Sequence, residues 1–185
     1  RLESMLQSPA DWVSPGRVDG YGDDPPAWDG RKVSLLDTDH IWGVGGDVAW
    51  VWKSFLRGHN PLFMDPYDGS VLGTANDARW EPVRRALGLT RRLAQRVNLA
   101  ALHPRDSLAS TKYCLADPGR EYVVFQPHSG SPVSVNLLKG SYQIEWWKAD
   151  TGETFPQGTL EVNEDGSVTL KPPFEGPAVL YLKAG

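Results

Sequence analysis

The sequence has a single cysteine, Cys114, among 185 residues. That excludes an intrachain disulfide and any cysteine metal cluster. No HxH, HExxH or CxxC spacing occurs, so neither a metal nor a cofactor is expected. No apolar run approaches the roughly 18 residues that span a bilayer, so no membrane partner is expected. Positive charge is not in excess: 19 Lys and Arg stand against 23 Asp and Glu, for a net charge of −4, which speaks against nucleic acid as a partner. The first residues, from Arg1, show no charged-then-apolar leader, and the pattern gives no location. Ser4, Ser107 and Cys114 have no triad pattern around them, which removes the usual nucleophilic arrangements.

What is present is ordinary globular material, 40% hydrophobic and 23% charged, with an unusual eight tryptophans. Most indoles must pack in cores, but indole faces are also what sugar sites use. Residues 1–31 are dense in Pro, Gly and Asp and read as a long loop. Lys32 to Leu36 reads as a short strand running into Asp37-Thr38-Asp39-His40. "DVAWVWKSFL", from Asp47 to Leu56, follows "GVGG" and reads as a helix capped by Asp47, with Val48, Val51, Trp52 and Phe55 on one face. "NPLFMDPY", Asn60 to Tyr67, reads as a second strand, and Arg79 to Val97 as a long helix with an arginine-rich outer stripe.

Beyond about residue 105 the texture changes. Tyr122–Gln126, Val133–Leu137, Ser141–Lys148, Thr159–Val162, Ser167–Leu170 and Ala178–Leu182 are short, β-rich and separated by Gly or Pro, the pattern of an antiparallel sandwich. "NEDGS" between the fourth and fifth of these is a hairpin signal. In Trp146-Trp147, alternation sends one ring inward and the other outward.

Strand–helix–strand–helix before an all-β module matches the end of a (β/α)8 barrel, whose active sites lie at the C-terminal ends of the strands. Asp37, Asp39 and His40 would lie at one such end, and Asp65 and Tyr67 at the next. Period-2 alternation would put both aspartates on one strand face, about 7 Å apart. Carboxylates so placed can bind sugar hydroxyls or act as nucleophile or base. They can equally cap the following helix, and His40 can be a structural hydrogen-bond partner. Trp42, in the loop, is the indole best placed as a sugar platform. Arg57 and Asn60 are candidate substrate contacts, although a helix end with a cation, Gly and a turn explains "RGHN" as well.

The stretches "SPADWVSPG", "DTDHIWGVGGDVAWVWKSFLRGHNPLFMDPYD" and "LASTKYCLADPGREYVVFQPHSG" resemble the C-terminal part of apiosidase-like (DUF4038-type) glycoside hydrolases. These are often exported bacterial proteins with a (β/α)8 barrel followed by a β-sandwich of collagen-binding type. The resemblance implies an α+β chain: residues 1–96 as the last two β/α units of the barrel, strands seven and eight, and residues 97–185 as the sandwich. Six earlier strands are then expected upstream, with the acid/base on strand four, so that this part alone would be inactive. The strand-seven nucleophile would fall at Asp37, where many relatives have Glu, and Asp39 is its rival. Substrate binding would fall to His40, Trp42, Arg57, Asn60, Asp65 and Tyr67, with a carbohydrate as the partner. The alternative is a non-catalytic glycan- or collagen-binding module, or a sandwich that only buttresses the barrel. A binding module would display two or three aromatics on one exposed face; a buttress would hide them.

Overall fold

A computed structural model describes residues 2–64 and 78–185. The expected second-strand residues Asp65 and Tyr67 lie outside the described residues.

The segment read as one long loop is in fact structured. It holds a short helix α1 (Leu2–Gln7) and a two-residue strand β1 (Trp12–Val13). β1 pairs in parallel with β2 (Val33–Asp37), Trp12 beside Val33 and Val13 beside Ser34. Two residues carry no periodicity, so only pairing reveals such a strand. A four-residue helix α2 (Thr38–Ile41) follows β2 directly, and then come α3 (Val48–Leu56) and β3 (Asn60–Leu62). β3 also runs parallel to β2, with Leu35 beside Asn60 and Asp37 beside Leu62, so the parallel sheet has three strands in the order β1-β2-β3, where two were expected.

α3 starts where its sequence predicts. The Asp47 carboxylate accepts the Trp50 N–H at 2.7 Å, closing the first turn. It ends at Arg57, and Gly58 (φ +83°) then turns the chain; a Cβ there would lie 2.9 Å from the Pro104 ring. The long helix α4 (Glu81–Ala94) takes Pro82 in its first turn and stops short of Val97.

The C-terminal strands are β4 (His103–Pro104), β5 (Cys114–Asp117), β6 (Glu121–Gln126), β7 (Val133–Leu137), β8 (Gly140–Lys148), β9 (Thr154–Val162), β10 (Gly166–Leu170) and β11 (Ala178–Ala184). Six form an antiparallel sheet in the order β4-β5-β6-β11-β8-β9, and β7 pairs with β10 in a second, two-stranded sheet. β4 and β5 were not foreseen. "NEDGS" is not a hairpin: β9 pairs with β8, whereas β10 crosses to β7. Val168 and Leu170 of β10 pack into the core between the two sheets, and Asp165 accepts the Lys139 N–H at 2.7 Å, tying the connection to the β7–β8 turn. Burying those side chains decides the strand's partner, and the turn residues do not.

The cores show the layering. One face of the large sheet, with Tyr122, Val124, Trp146 and Leu180, packs on Val133, Val135 and Leu137 of β7. The opposite face, with Leu115, Val123, Phe125, Trp147 and Val179, packs on Trp52 and Leu56 of α3 and on Leu89 and Leu93 of α4. The other sides of α3 and α4, through Trp50, Val51, Val83 and Ala86, meet Val13 and Leu36 of the parallel sheet. α3 is therefore buried on two sides, which explains its apolar run better than the single face expected of it.

Candidate active site

The tips of the three parallel strands are tied together by short-range polar contacts. Asp37 is the last residue of β2 and the N-cap of α2; its Oδ1 accepts the Asp39 N–H at 3.0 Å. Thr38, fully buried, accepts the Met64 N–H at 2.9 Å through Oγ1 and so fixes the chain leaving β3. Ser14 Oγ and His40 Nδ1 are hydrogen-bonded at 2.7 Å, joining the residue after β1 to the helix after β2. Ser14 is a residue that sequence reasoning missed. Its only signal lay in seeing that "DWV" is a strand, which the surrounding Pro and Gly conceal.

Helix α2 changes the geometry expected of the two acids. Asp39 stands in the first turn of α2, not on the strand, so it does not share the strand face of Asp37. The reason is the cap itself: once the Asp37 carboxylate takes the Asp39 N–H, the chain curls and period-2 alternation stops. Asp37 is half-buried, and Asp39 and His40 are exposed.

Register divides the parallel sheet into two faces. Val13, Ser34 and Leu36 turn toward α3 and α4 and are buried. Trp12, Val33, Leu35, Asp37, Asn60 and Leu62 share the other face. That face is uncovered: Trp12 is 56% exposed, Val33 52% and Leu62 43%. Asn60 thus lies on the same face as Asp37, two residues lower, and its Nδ2 donates to the Ser34 carbonyl at 3.1 Å.

Trp42 caps α2 and meets Trp50 edge-on, ring centroids 5.2 Å apart. The loop after it needs glycine: a Cβ on Gly45 would come within 2.9 Å of Trp42, and Gly46 sits at φ +83° against Trp50. Trp42, Gly46, Asp47 and Lys53 line a cavity of about 430 Å³ here.

Arg57 is not part of this group. It lies at the far end of α3, its side chain 7% exposed, with Nη1 on Asp24 Oδ1 at 2.9 Å and on the Pro25 carbonyl at 2.6 Å. Its guanidinium stacks on Tyr113, and Asp106 stands 3.7 Å from Nε. Burial raises the Asp106 carboxyl above its ordinary range, with Arg57 opposing. The cation therefore joins the N-terminal loop to the sandwich and does not face the strand tips. A larger cavity, about 590 Å³, is lined by Gly58, His59 and Asn60 with His103–Arg105. It lies where the chain enters β3, and Asp37 does not line it.

His59 is buried between Tyr21 and Trp28. Its Nε2 lies 2.8 Å from the Pro26 carbonyl, which can only accept, so Nε2 carries the proton and Nδ1 accepts the Ser34 hydroxyl at 2.7 Å. Burial pushes its pKa down to about 4. It is a neutral structural imidazole, bonded to protein groups where the "RGHN" reading had also allowed a substrate contact. Among the described residues no cluster of three or more His, Cys, Asp or Glu is arranged to hold a metal ion, and no helix is long and apolar enough to cross a membrane.

No family model matches the sequence, and no curated protein matches it. Solved structures do. A protein described as a glycoside hydrolase aligns over 86% of this chain and 44% of its own, with a TM-score of 0.59 at 13% identity. A glycoside hydrolase family 5 protein from Bacteroides vulgatus ATCC 8482 aligns over 85% of this chain and 42% of its own, with a TM-score of 0.58 at 13% identity. The chain has a mixed α+β fold, with antiparallel sheets, like that of glycoside hydrolases, and it spans less than half the length of these two proteins.

Proposed function

We propose that residues 1–96 are the closing part of a (β/α)8 glycoside hydrolase barrel and that Asp37 is the strand-tip carboxylate that acts on a sugar's anomeric carbon. The uncovered face of the parallel sheet carries this reading. All-parallel sheets are covered on both faces, because their connections lay other elements over them. Here α3 and α4 cover one face only, and Trp12, Val33 and Leu62 stand open on the other. In a closed barrel these side chains become the packed interior, and β1, β2 and β3 count as strands six, seven and eight. Asp37 is the polar residue at the top of that interior, where a barrel's chemistry occurs.

The roles follow from position. Asp37 is the nucleophile or base, and its partner acid would come from strand four, outside residues 1–185. His40, steadied by Ser14, and Trp42 flank the mouth and contact sugar hydroxyls and a ring face. Asn60 lies deeper on the same wall. Asp39, on the helix, points to hydroxyl binding more than to attack. Arg57 is withdrawn from substrate contact, because its partners are Asp24, Pro25, Asp106 and Tyr113. Residues 97–185 act as a buttress: Phe125 and Trp147 turn onto α3 and α4, where a free binding module would display its aromatics.

The test is Asp37→Asn and Asp39→Asn in the full-length parent, with kcat/KM measured on aryl glycosides. Asn caps a helix as well as Asp, so a loss at position 37 reports chemistry and not folding. Asp37→Asn is expected to lose at least about a thousandfold, roughly 4 kcal/mol of barrier, and Asp39→Asn far less. The reverse order moves the carboxylate to Asp39. Full activity in both variants defeats the reading.

A further inference from the structure

The cavity beside Trp42 has a neighbour. A second cavity of about 530 Å³ lies between α3 and the sandwich loops, lined by Tyr113, His128 and Ser131 among others. The two share Ala49 and Lys53 on α3, so they adjoin across that helix and outline a groove from the Trp42 loop to the sandwich loops, with the Lys53 side chain at its middle. Each half is of the size that holds small ligands, roughly 300–1,000 Å³.

We infer that this groove binds an extended glycan chain, with the sandwich supplying its distal end. The inference rests on the reading of the barrel mouth as a glycoside hydrolase site and specifies its substrate as an oligosaccharide longer than a disaccharide. The lining supports a neutral, hydroxyl-rich ligand. One end offers the Trp42 indole and the Asp47 carboxylate, of which one oxygen caps α3. The middle offers Lys53, whose ammonium donates to the Asp23 carbonyl at 3.2 Å and lies 5.4 Å from the centre of the Tyr113 ring. The far end offers the His128 imidazole, exposed and without a side-chain partner among the described residues, and the Ser131 hydroxyl, whose contact with the Ser129 carbonyl is long at 3.5 Å. Donors and acceptors left over at both ends, an aromatic ring at one end and in the middle, and a cation already engaged by protein oxygen suit sugar hydroxyls. They do not suit a polyanion, which would need several free cations, nor an apolar helix, which would need a continuous greasy strip.

Residues 1–185 labelled with nitrogen-15 are titrated with β-1,4-linked hexasaccharides of glucose, xylose and mannose, each followed by its disaccharide. At least one hexasaccharide is expected to shift amides in both 42–53 and 110–132 with a single Kd. Its disaccharide should bind at least about tenfold more weakly. Two variants check the path: Ala49→Leu, which raises the shared floor, and His128→Ala, at an exposed position, should each weaken that hexasaccharide by about tenfold. Shifts confined to one segment, no shifts with any of the three sugars, or variants that bind normally overturn the inference. Binding is read without turnover, so these outcomes are separate from the Asp37→Asn result in the parent.

Discussion

The indole nitrogen of Trp52 donates to the carbonyl of Ala149 at 2.8 Å, a buried hydrogen bond between residues 97 positions apart. It pins α3 to the turn after β8. The Trp52 ring also stacks on Phe125, centroids 6.4 Å apart and planes 25° from parallel. Through this residue the helix that follows the Asp37 strand is held by the sandwich.

Trp52→Phe keeps most of the packing and deletes the donor, leaving the Ala149 carbonyl buried without it. The expected cost is about 1–3 kcal/mol in urea unfolding. Trp52→Ala adds a cavity and should cost about 3–5 kcal/mol. Equal stability of Trp52→Phe and the original chain would mean that the hydrogen bond contributes nothing.

Arg57 should behave as a buried cation whose partners cannot follow it out. Arg57→Ala leaves part-buried Asp106 without its cation, the Pro25 carbonyl without the Arg57 donor, and exposed Asp24 with the Tyr113 hydroxyl alone, and about 1–3 kcal/mol of stability should go. Arg57→Lys should recover only part of it, since an ammonium cannot reach two carboxylates and a carbonyl while stacking on Tyr113. Thermal melts of the three proteins decide the order.

His59 makes stability depend on pH. Its folded pKa is about 4 against an ordinary 6.5, so between these values the unfolded chain takes up a proton that the folded chain refuses. Above pH 6.5 both forms are neutral and His59 contributes no pH dependence. As pH falls from 6.5 to 4 stability drops, by on the order of 3 kcal/mol once both forms titrate. Unfolding free energies at several pH values should show this slope, and His59→Asn should flatten it. A slope unchanged in the variant would assign the effect elsewhere.

Ser54 is fully buried in α3, and its hydroxyl has no hydrogen-bond partner among the described residues. Ser54→Ala removes an unsatisfied polar atom and improves helix propensity, so a gain of about 1 kcal/mol is expected in a thermal melt. A loss of stability would show that the hydroxyl has a partner.

The sequence by itself determined the features that depend on near neighbours. Asp47 before an apolar run sets the start of α3, and alternation with Gly and Pro breaks marks β6 to β8 and β11, because caps and side-chain periodicity act within a few residues. It also determined that a strand ends at Asp37, since apolar residues give way to acids there. Only the tertiary structure decided what needs a distant partner. Trp12–Val13 is a strand because Val33 and Ser34 lie beside it. β10 leaves the "NEDGS" turn for β7 because Val168 and Leu170 have a core to fill. Arg57 is a joint and His59 a buried neutral base because Asp24, Asp106, Pro26 and Ser34 converge on them from other segments. Local pattern records the preference of one segment, whereas burial and polar satisfaction are settled between segments. The cap on α2 shows the two levels meeting: Asp37 is where the sequence put it, but its hold on the Asp39 N–H turns the chain and takes Asp39 off the strand.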